Sequence, residues 1–527
     1  MLALELVVVL GLAILLTRVA AARFRIAPPI LLLAAGILLG FVPSLRSVHL
    51  PPELMLLLFL PVLLYWESLT TSLREIRANL RGIVLLSTVL VIATAASVAV
   101  VAHGLGMQWG PAWVLGAAVA PTDATAVSVV ARLLPRRQVT VLRAESLVND
   151  GTALVIYGLA VGVTVGEEQL GAAHVSWLFL LAYAGGILVG AVVGWLAAQV
   201  RSRQSDPLTG QVTMVLIPFT AFLLAEAIEA SGVLAVVVSG LIMSQAAPRV
   251  VRAEMRIQAQ AFWTVTTFLL NAALFVLVGL ELQSAVRSLN SADLVRALVL
   301  VAVVTAMVIA VRLVFLFTVP SLVRLLDRRP QQEQRHADHR PRLVSALSGF
   351  RGAVSLAAAL AVPQQLASGA PFPDRDMIVF VTGGVIVLTL CQGLILPGIV
   401  RWARLPADTA VEAERHLAET RAAEEALEAL PRLSAELGTD PDVVDRMRLE
   451  LDKRIEVLQA HREGTTDHPA VRHDEHYTAL YLALTAHMRE TVVRLRDERQ
   501  IDDTVLRQVQ TALDLEDIRL SPAPPSE

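Results

Sequence analysis

The chain has 527 residues, of which 55% are hydrophobic and only 17% are charged, and its formal net charge is -3. Its mean hydropathy of +0.62, with repeated apolar runs near the length that spans a bilayer, excludes an ordinary soluble protein. The near-neutral balance gives no support for nucleic-acid binding, and the one cysteine, Cys391, excludes an intrachain disulfide and suggests no metal cluster.

The apolar runs predict thirteen membrane-spanning helices. The first run contains Glu5 and no basic residue before Arg18, so we interpret it as a transmembrane helix and not as a cleaved signal peptide. A tight turn at residues 229–232 separates the eighth and ninth spans. The predicted spans are 2–22, 27–44, 52–71, 79–103, 112–132, 139–164, 173–200, 211–229, 231–246, 259–281, 292–325, 341–365 and 375–402.

Arginines are concentrated in every second loop. The opposite loops carry only Arg46, Arg287, Arg296 and Arg375. Because basic loops stay on the cytoplasmic side, the N-terminus is predicted outside and the C-terminal tail inside. The arginine-rich loops contain Arg18, Arg23, Arg25, Arg74, Arg77, Arg81, Arg132, Arg136, Arg137, Arg201, Arg203, Arg249, Arg252, Arg256 and a cluster from Arg324 to Arg342.

Two of the spans are interrupted in the middle. The fifth contains Pro121-Thr122-Asp123-Ala124-Thr125, where proline removes a backbone hydrogen bond and aspartate adds charge. The twelfth contains Ser348-Gly349-Phe350-Arg351-Gly352-Ala353. If the seventh span links two halves, each interruption falls at the fifth position of its half. We therefore expect two inverted repeats with broken helices at the membrane midplane, the arrangement that marks a transporter's binding site.

The sixth span places charge where charge is costly. It carries Glu145, Ser146, Asn149 and Asp150 within an apolar run. A charged residue at the centre of a spanning helix costs about 2.5–3.5 kcal/mol on insertion scales, so it indicates a functional site. Glu145 and Asn149 are four residues apart, as are Ser146 and Asp150, which puts two polar pairs on adjacent rows of one helix face.

The complete set of intramembrane polar residues favours a cation site. Carboxylate, hydroxyl, amide and free backbone carbonyl oxygens suit Na⁺ or a similar ion. A desolvated carboxylate also binds a proton more readily. A group that holds either a proton or a metal ion, but not both, is the physical basis of an exchanger. The set comprises Glu67, Thr122, Asp123, Glu145, Ser146, Asn149, Asp150, Arg312 and Arg351.

Several of these residues also have a purely structural interpretation. Asp150 could be neutralised by an arginine, Asp123 could cap the broken helix, and Ser146 could bond back to its own helix. Glu67 could be a solvated residue at the cytoplasmic end of its span. Arg312 is expected to pair with a carboxylate, for which Glu226 is a candidate.

After about residue 405 the hydropathy falls, which predicts two domains: 1–405 in the membrane and 406–527 as a cytosolic helical tail, regulatory or supporting a dimer. Asp440-Pro441 predicts a helix start and Gly464 a stop. Further helices are predicted near 476–499 and from about Asp503, and residues 521–527 are predicted disordered. The tail carries no metal spacing, phosphate loop or nucleophile motif, and its ligand, a small molecule or a protein, is left open.

Four motifs together resemble the monovalent cation/proton antiporter-1 family, which comprises bacterial sodium/proton antiporters of the P type and animal sodium/hydrogen exchangers. The resemblance covers the whole membrane domain. In the tail, the stretches 502–507 and 513–516 resemble bacterial members in particular. The motifs are the Pro121-Thr122-Asp123 break, Glu145-Ser146-Leu147-Val148-Asn149-Asp150-Gly151, the stretch from Phe262 to Leu280 that includes Asn271, and Gly349-Phe350-Arg351-Gly352.

The resemblance implies specific roles in an all-α integral membrane protein. Asp150 is expected to bind the ion and the proton, with Asp123, Ser146 and the Thr122 carbonyl as further ligands and Glu67 contributing through water. Asn149 stands where electrogenic relatives carry a second aspartate, which implies electroneutral exchange of one cation for one proton. Glu145 and Arg351 are expected to form a structural ion pair. Asn271 fits the family pattern, although an interhelical hydrogen bond explains it equally well.

The expected function is secondary antiport of Na⁺, or Li⁺, against H⁺ across a bacterial plasma membrane, by a lipid-embedded homodimer that needs no cofactor. K⁺/H⁺ exchange is the alternative within the class. A proton-coupled transporter of an organic solute and an ion channel are alternatives outside it. An enzyme is not expected, because no nucleophile with a base and no metal triad is present.

Overall fold

The fold is built from helices. The computed structural model describes residues 2–24, 27–43, 55–123, 134–166, 172–204, 206–288, 291–326, 339–405, 410–462 and 468–520. Within those residues no strand is present, and an isolated bridge joins Gln365 to Pro371. The chain divides into two compact units, Met1–Pro406 and Ala407–Glu527.

The first unit contains helices α1 to α15. Two of them continue π-helical turns: Met55–Phe59 leads into α3, and Leu85–Val89 joins α4 to α5 without a break. The bounds are α1 Leu2–Phe24, α2 Pro28–Leu39, α3 Leu60–Thr70, α4 Leu73–Val84, α5 Leu90–Gly104, α6 Trp109–Val119, α7 Arg136–Val165, α8 Ala172–Arg203, α9 Pro207–Glu226, α10 Gly232–Val250, α11 Ala253–Ser288, α12 Ser291–Leu326, α13 His339–Leu347, α14 Ala353–Leu360 and α15 Arg375–Ala403.

These helices follow the predicted apolar segments. In the described part of the chain, nine helices are long and apolar enough to cross a membrane, and three shorter apolar helices span 28–39, 57–70 and 109–119. The twelfth predicted span is the pair α13 and α14. Each predicted segment thus contains helix, although residues 124–132 of the fifth lie outside the described part of the chain. The number of membrane crossings and the inverted repeat stay predictions. Helix ends extend further than predicted, as in α11, because polar turns can continue a helix beyond its apolar centre.

Local chemistry explains where helices begin. Pro207 opens α9, and Asp206 caps it by accepting a hydrogen bond from the Thr209 N–H at 2.8 Å. The predicted turn between the eighth and ninth spans is present. There Glu229 has a φ of 57°, and Ser231 caps α10 by accepting from the Leu234 N–H.

Glycines allow two helices of the membrane unit to pack closely. Gly186, Gly190 and Gly194 recur every fourth residue on α8, and a Cβ on any of them would crowd Ser231, Ala235 or Ser239 at the start and middle of α10. Small residues at this spacing let helix backbones approach each other in a membrane protein.

The polar helix α7 lies between two apolar clusters. Leu147 packs in the cluster with Tyr65 of α3, Trp263 of α11 and residues of α8 to α10. Tyr157, nearly three turns later, packs in the larger cluster formed with α6, α11, α12, α14 and α15. The residues between these two, Asn149 and Asp150 among them, are therefore held at the junction of the two clusters.

The second unit is helical: α16 Ala410–Leu437, α17 Pro441–Arg462, α18 Pro469–Asp497 and α19 Asp503–Leu520. The predicted starts at Pro441 and Asp503 are confirmed, whereas α18 begins at Pro469, before the predicted residue 476. The predicted stop at Gly464, the predicted disorder of 521–527, and Ala124-Thr125 of the first break all lie outside the described residues.

Candidate functional site

The two predicted helix breaks meet in space. Helix α6 ends at Val119, and the chain from 121 to 123 is not helical. In the second break, α13 ends at Leu347 and α14 begins at Ala353. The Asp123 N–H donates to the Phe350 carbonyl at 2.9 Å. Each break therefore supplies a hydrogen bond to the other, as irregular backbone inside a membrane protein requires.

Arg351 satisfies the open end of α6. Its guanidinium donates to the carbonyls of Val119 at 2.9 Å, Ala120 at 3.3 Å and Gly349 at 2.6 Å. The side chain is only 2% exposed. A cation at a helix C-terminus interacts favourably with the helix dipole. Arg351 thus joins the two breaks through backbone carbonyls.

Glu145 has a different partner from the predicted one. The Arg312 guanidinium on α12 donates two hydrogen bonds to the Glu145 carboxylate. Nη1 donates to Oε1, and Nη2 donates to Oε2 at 2.9 Å. The predicted Glu145–Arg351 ion pair is wrong, because the Arg351 donors are engaged with carbonyls. The suggested Arg312–Glu226 pair is also wrong, since the Glu226 carboxylate accepts from the Gly232 N–H.

A small cavity lies where the breaks meet α7. Its volume is about 50 Å³. All five predicted ligands, Glu67, Thr122, Asp123, Ser146 and Asp150, line it together with Asn271. Asn149, Glu145, Arg312 and Arg351 do not. The other lining residues are Phe59, Leu60, Leu63, Leu64, Pro121, Leu274, Gly352, Val354, Ser355 and Ala357.

Asp150 is the most deeply buried of the three acids that line this cavity. Its side chain is 4% exposed. Within the described residues its carboxylate makes no hydrogen bond and no ion pair. A buried carboxylate without a partner is unfavourable unless a proton or a cation neutralises it. The geometry therefore leaves Asp150 open to one or the other.

A short hydrogen-bond network positions Thr122. The Ser146 hydroxyl donates to the Thr122 carbonyl at 2.8 Å, and the Asn149 amide donates to the Thr122 hydroxyl at 2.6 Å. The Ser146 hydroxyl thus donates to the first break and not to a carbonyl of its own helix, which was the structural alternative. Asn149 is 1% exposed, and its side-chain carbonyl oxygen accepts no hydrogen bond from the described residues.

Asp123 lies against the start of α14. A Cβ built on Gly352, the N-cap residue of that helix, would overlap the Asp123 carboxylate. The N-terminus of a helix favours a negative charge nearby. Asp123 therefore both lines the cavity and lies at a helix end, so the ligand and cap interpretations are compatible.

Neutral oxygens are needed beside the acids. Among the described residues, no three His, Cys, Asp or Glu side chains converge closely enough to hold a metal ion. Glu67 on α3 is half-buried and interacts electrostatically with Asp123 and Arg143. A cation here would draw on hydroxyl, carbonyl or water oxygens as well, which suits an alkali ion.

The family model described as "Sodium/hydrogen exchanger, transmembrane" matches residues 9–402. This chain belongs to the sodium/hydrogen exchanger family. An uncharacterized Na⁺/H⁺ exchanger of Mycobacterium tuberculosis is 45% identical over 517 residues, 98% of this chain and 95% of that protein. A sodium, potassium, lithium and rubidium/H⁺ antiporter of Bacillus pumilus is 30% identical over 387 residues, 70% of this chain and 56% of that protein.

The fold agrees with a solved structure. The sodium proton antiporter MjNhaP1 from Methanocaldococcus jannaschii superposes with a TM-score of 0.55 at 20% identity, covering 76% of this chain and 98% of that chain. The exchanger therefore has the all-α architecture of a multi-span membrane protein, as predicted.

Sequence reasoning about this exchanger missed two features of the cavity. Ser355 lines it from the first turn of α14, and Gly352 makes room for the Asp123 carboxylate. The available signal was position: Gly352 lies within the predicted break, and Ser355 follows the end of that break by two residues. A serine or glycine in a membrane helix is too common for that position alone to single it out.

We expect a double-mutant cycle to identify the partner of Glu145. Glu145→Ala and Arg312→Ala each leave a buried charge unpaired and should lower the unfolding free energy by about 3–5 kcal/mol. The double variant should lose less than the sum. Unfolding of purified protein in detergent measures this, with Arg489→Ala in the exposed tail pair with Asp514 as a control costing about 1 kcal/mol or less. Coupling of Glu145 to Arg351 in place of Arg312 would contradict the assignment.

A second prediction concerns Gly352. Gly352→Ala should lower cation/proton exchange by about 10- to 100-fold, because the methyl group must displace the Asp123 carboxylate from the cavity. Gly162→Ala on α7 is the matched control, since a Cβ there meets nothing within 4 Å. Vesicle exchange assays compare the two, and equal activities would mean that the contact with Asp123 does not matter.

Proposed function

We propose that this protein is a secondary antiporter that exchanges one Na⁺, or Li⁺, for one H⁺ across a bacterial plasma membrane. The single observation that supports this most is the Asp150 carboxylate, which is buried, lines a water-sized cavity and has no partner among the described residues. Such a group must be neutralised to be stable, and either a proton or an alkali cation can do so.

Coupling follows from competition for that one group. When the cavity is open on one side, Asp150 takes up a proton or a cation. A neutralised site can move relative to the apolar surroundings at low cost, whereas a bare charge cannot. The empty protein therefore does not cycle, and each cation that crosses is exchanged for a proton that crosses in the other direction. Low pH on one side suppresses cation binding on that side.

The remaining ligands come from the broken helix and its neighbours. The Thr122 carbonyl has a second lone pair beyond the one that accepts from Ser146. Because the Ser146 hydroxyl donates its hydrogen to that carbonyl, its own oxygen can face a cation. Asp123 adds negative charge beside the start of α14, and Glu67 contributes through water. The family's alternating-access motion would carry these groups together with α7.

Electroneutral exchange is supported by the environment of Asn149. Its side chain is buried and positions Thr122 without lining the cavity. A neutral amide in this place leaves Asp150 as the one acid on α7 that faces the cavity, and Glu145 of the same helix is paired with Arg312. One exchangeable proton against one cation moves no net charge.

The size of the cavity favours an ion over an organic solute. A cavity of about 50 Å³ is well below the roughly 300–1,000 Å³ of small-molecule sites. K⁺/H⁺ exchange is the second candidate, because the Bacillus pumilus relative is named for sodium, potassium, lithium and rubidium. Transport rather than catalysis is the function we assign to the chain.

The surroundings of the site complete the proposal. The arginine-rich loops support an outer N-terminus and a cytoplasmic tail. The protein acts as a homodimer in the lipid bilayer, and α16 to α19 regulate exchange or support the dimer. Proton export or uptake coupled to Na⁺ would serve pH regulation.

Asp150→Asn should abolish Na⁺-driven proton movement in proteoliposomes. The amide is neutral and takes up no proton near neutral pH, so proton and cation no longer compete for one negative charge. The variant should keep the helical content and the size-exclusion elution volume of the unmodified protein, which shows that it is folded. Asp376→Asn, an exposed acid in the first turn of α15, is the control that should retain exchange. Near-normal exchange by Asp150→Asn would rule out the proposed site.

A further prediction concerns voltage. Exchange should proceed at the same rate with and without an imposed membrane potential, since one charge crosses in each direction. Proteoliposomes whose potential is set by a gradient of a permeant anion test this, because a K⁺ gradient would itself drive protons if K⁺ were exchanged. Proton movement driven by the potential, with Na⁺ equal on both sides, would contradict the one-to-one ratio and leave Asp150 as the site.

A further inference from the structure

A buried hydroxyl on the second broken helix faces the same cavity as Asp150. Ser355 is 2% exposed and lines the cavity with Asp150, Asp123 and Ser146. Within the described residues its hydroxyl makes no hydrogen bond. The predicted ligands other than Glu67 come from the first break and α7, whereas Ser355 comes from the helix that follows the second break.

Most buried serine and threonine hydroxyls in the described residues donate a hydrogen bond to a backbone carbonyl of their own helix. Ser348 donates to the Val344 carbonyl at 2.7 Å, Thr305 to Val301 at 2.7 Å and Thr94 to Leu90 at 2.7 Å. This is the usual bond of serine and threonine in membrane helices. Ser87, Thr382 and Thr420 also lack a partner among the described residues, but none of them lines the cavity.

The position of Ser355 explains why its hydroxyl differs. It lies in the first turn of α14, which begins at Ala353. The residues three and four positions earlier are Gly352 and Arg351, which are not helical. The preceding turn that would offer a carbonyl to the hydroxyl is therefore absent. The helix break therefore leaves the Ser355 hydroxyl, like the backbone groups at the break, without a hydrogen bond inside its own helix.

We propose that the Ser355 hydroxyl is a further ligand of the transported cation, which is then held between both broken helices. This rests on the proposed exchange function. A hydroxyl oxygen coordinates an alkali ion but does not take up a proton near neutral pH. Ser355 thus strengthens cation binding without strengthening proton binding. It also adds a neutral oxygen to a cavity where, among the described residues, no three acids converge on one ion.

The experiment compares Ser355→Ala, Ser355→Thr and Ser355→Cys with Ser348→Ala in proteoliposomes. Ser348 is the matched control, because it is a buried serine of the same broken span whose hydroxyl bonds its own helix. Exchange is measured against Na⁺ and Li⁺ concentration at several pH values, which separates the KM for the cation from the maximal rate.

We expect Ser355→Ala to raise the KM for Na⁺ about tenfold with little change in maximal rate, the pattern of lost cation binding. Ser355→Cys should behave likewise, since sulfur is a poor ligand for a hard ion, and Ser355→Thr should restore a low KM. The pH dependence at saturating Na⁺ should stay that of the unmodified protein. The cysteine variant decides the matter if the alanine variant does not fold.

Three outcomes would overturn the inference. These are an unchanged KM in both Ser355→Ala and Ser355→Cys, an equal rise in Ser348→Ala, or a loss confined to the maximal rate. Absence of exchange in the unmodified protein, or full exchange by Asp150→Asn, would instead count against the proposed function. The two failures are therefore distinguishable.

Discussion

The membrane unit depends on the mutual satisfaction of two broken helices. Irregular backbone is costly where no water reaches it, so each carbonyl and N–H freed at a break needs a partner. Here Arg351 donates to the open end of α6, and the Asp123 N–H donates to Phe350. Each break therefore supplies hydrogen-bonding partners to the other. The cavity exists at the place where they meet.

The chemistry of the site follows from which polar groups this arrangement leaves unpaired. Arg312 neutralises Glu145, the start of α14 lies beside Asp123, and Asn149 holds Thr122. Asp150 is left without a partner in the described chain. Asp150 is therefore the acid to which we assign the exchanged proton or cation. On that proposal, stability and transport are carried by different side chains of α7, although Glu145 and Asp150 are only five residues apart.

Much of the fold and of the cavity could be predicted from the chain alone. Membrane helices follow from apolar length, and both breaks were predicted because Pro121 and the Gly349–Gly352 stretch interrupt such lengths. The five ligands that the family resemblance implied line one cavity. The pairing of Glu145 was wrong, because two buried arginines of similar character compete for it. The sequence could not show that the Arg351 guanidinium donates to the carbonyls of Val119 and Ala120, which lie 232 and 231 positions away.

By itself the sequence determined the class of protein, the helical segments, the two breaks and the acids that lie near them. These features depend on apolar length, proline, glycine and charge, which act locally or against the membrane as a whole. Only the tertiary structure decided which arginine pairs with Glu145, that Asp150 lacks a partner among the described residues, and that Ser355 lines the cavity. Those facts depend on which donor and acceptor atoms of distant segments come within hydrogen-bond distance, and that is a property of packing.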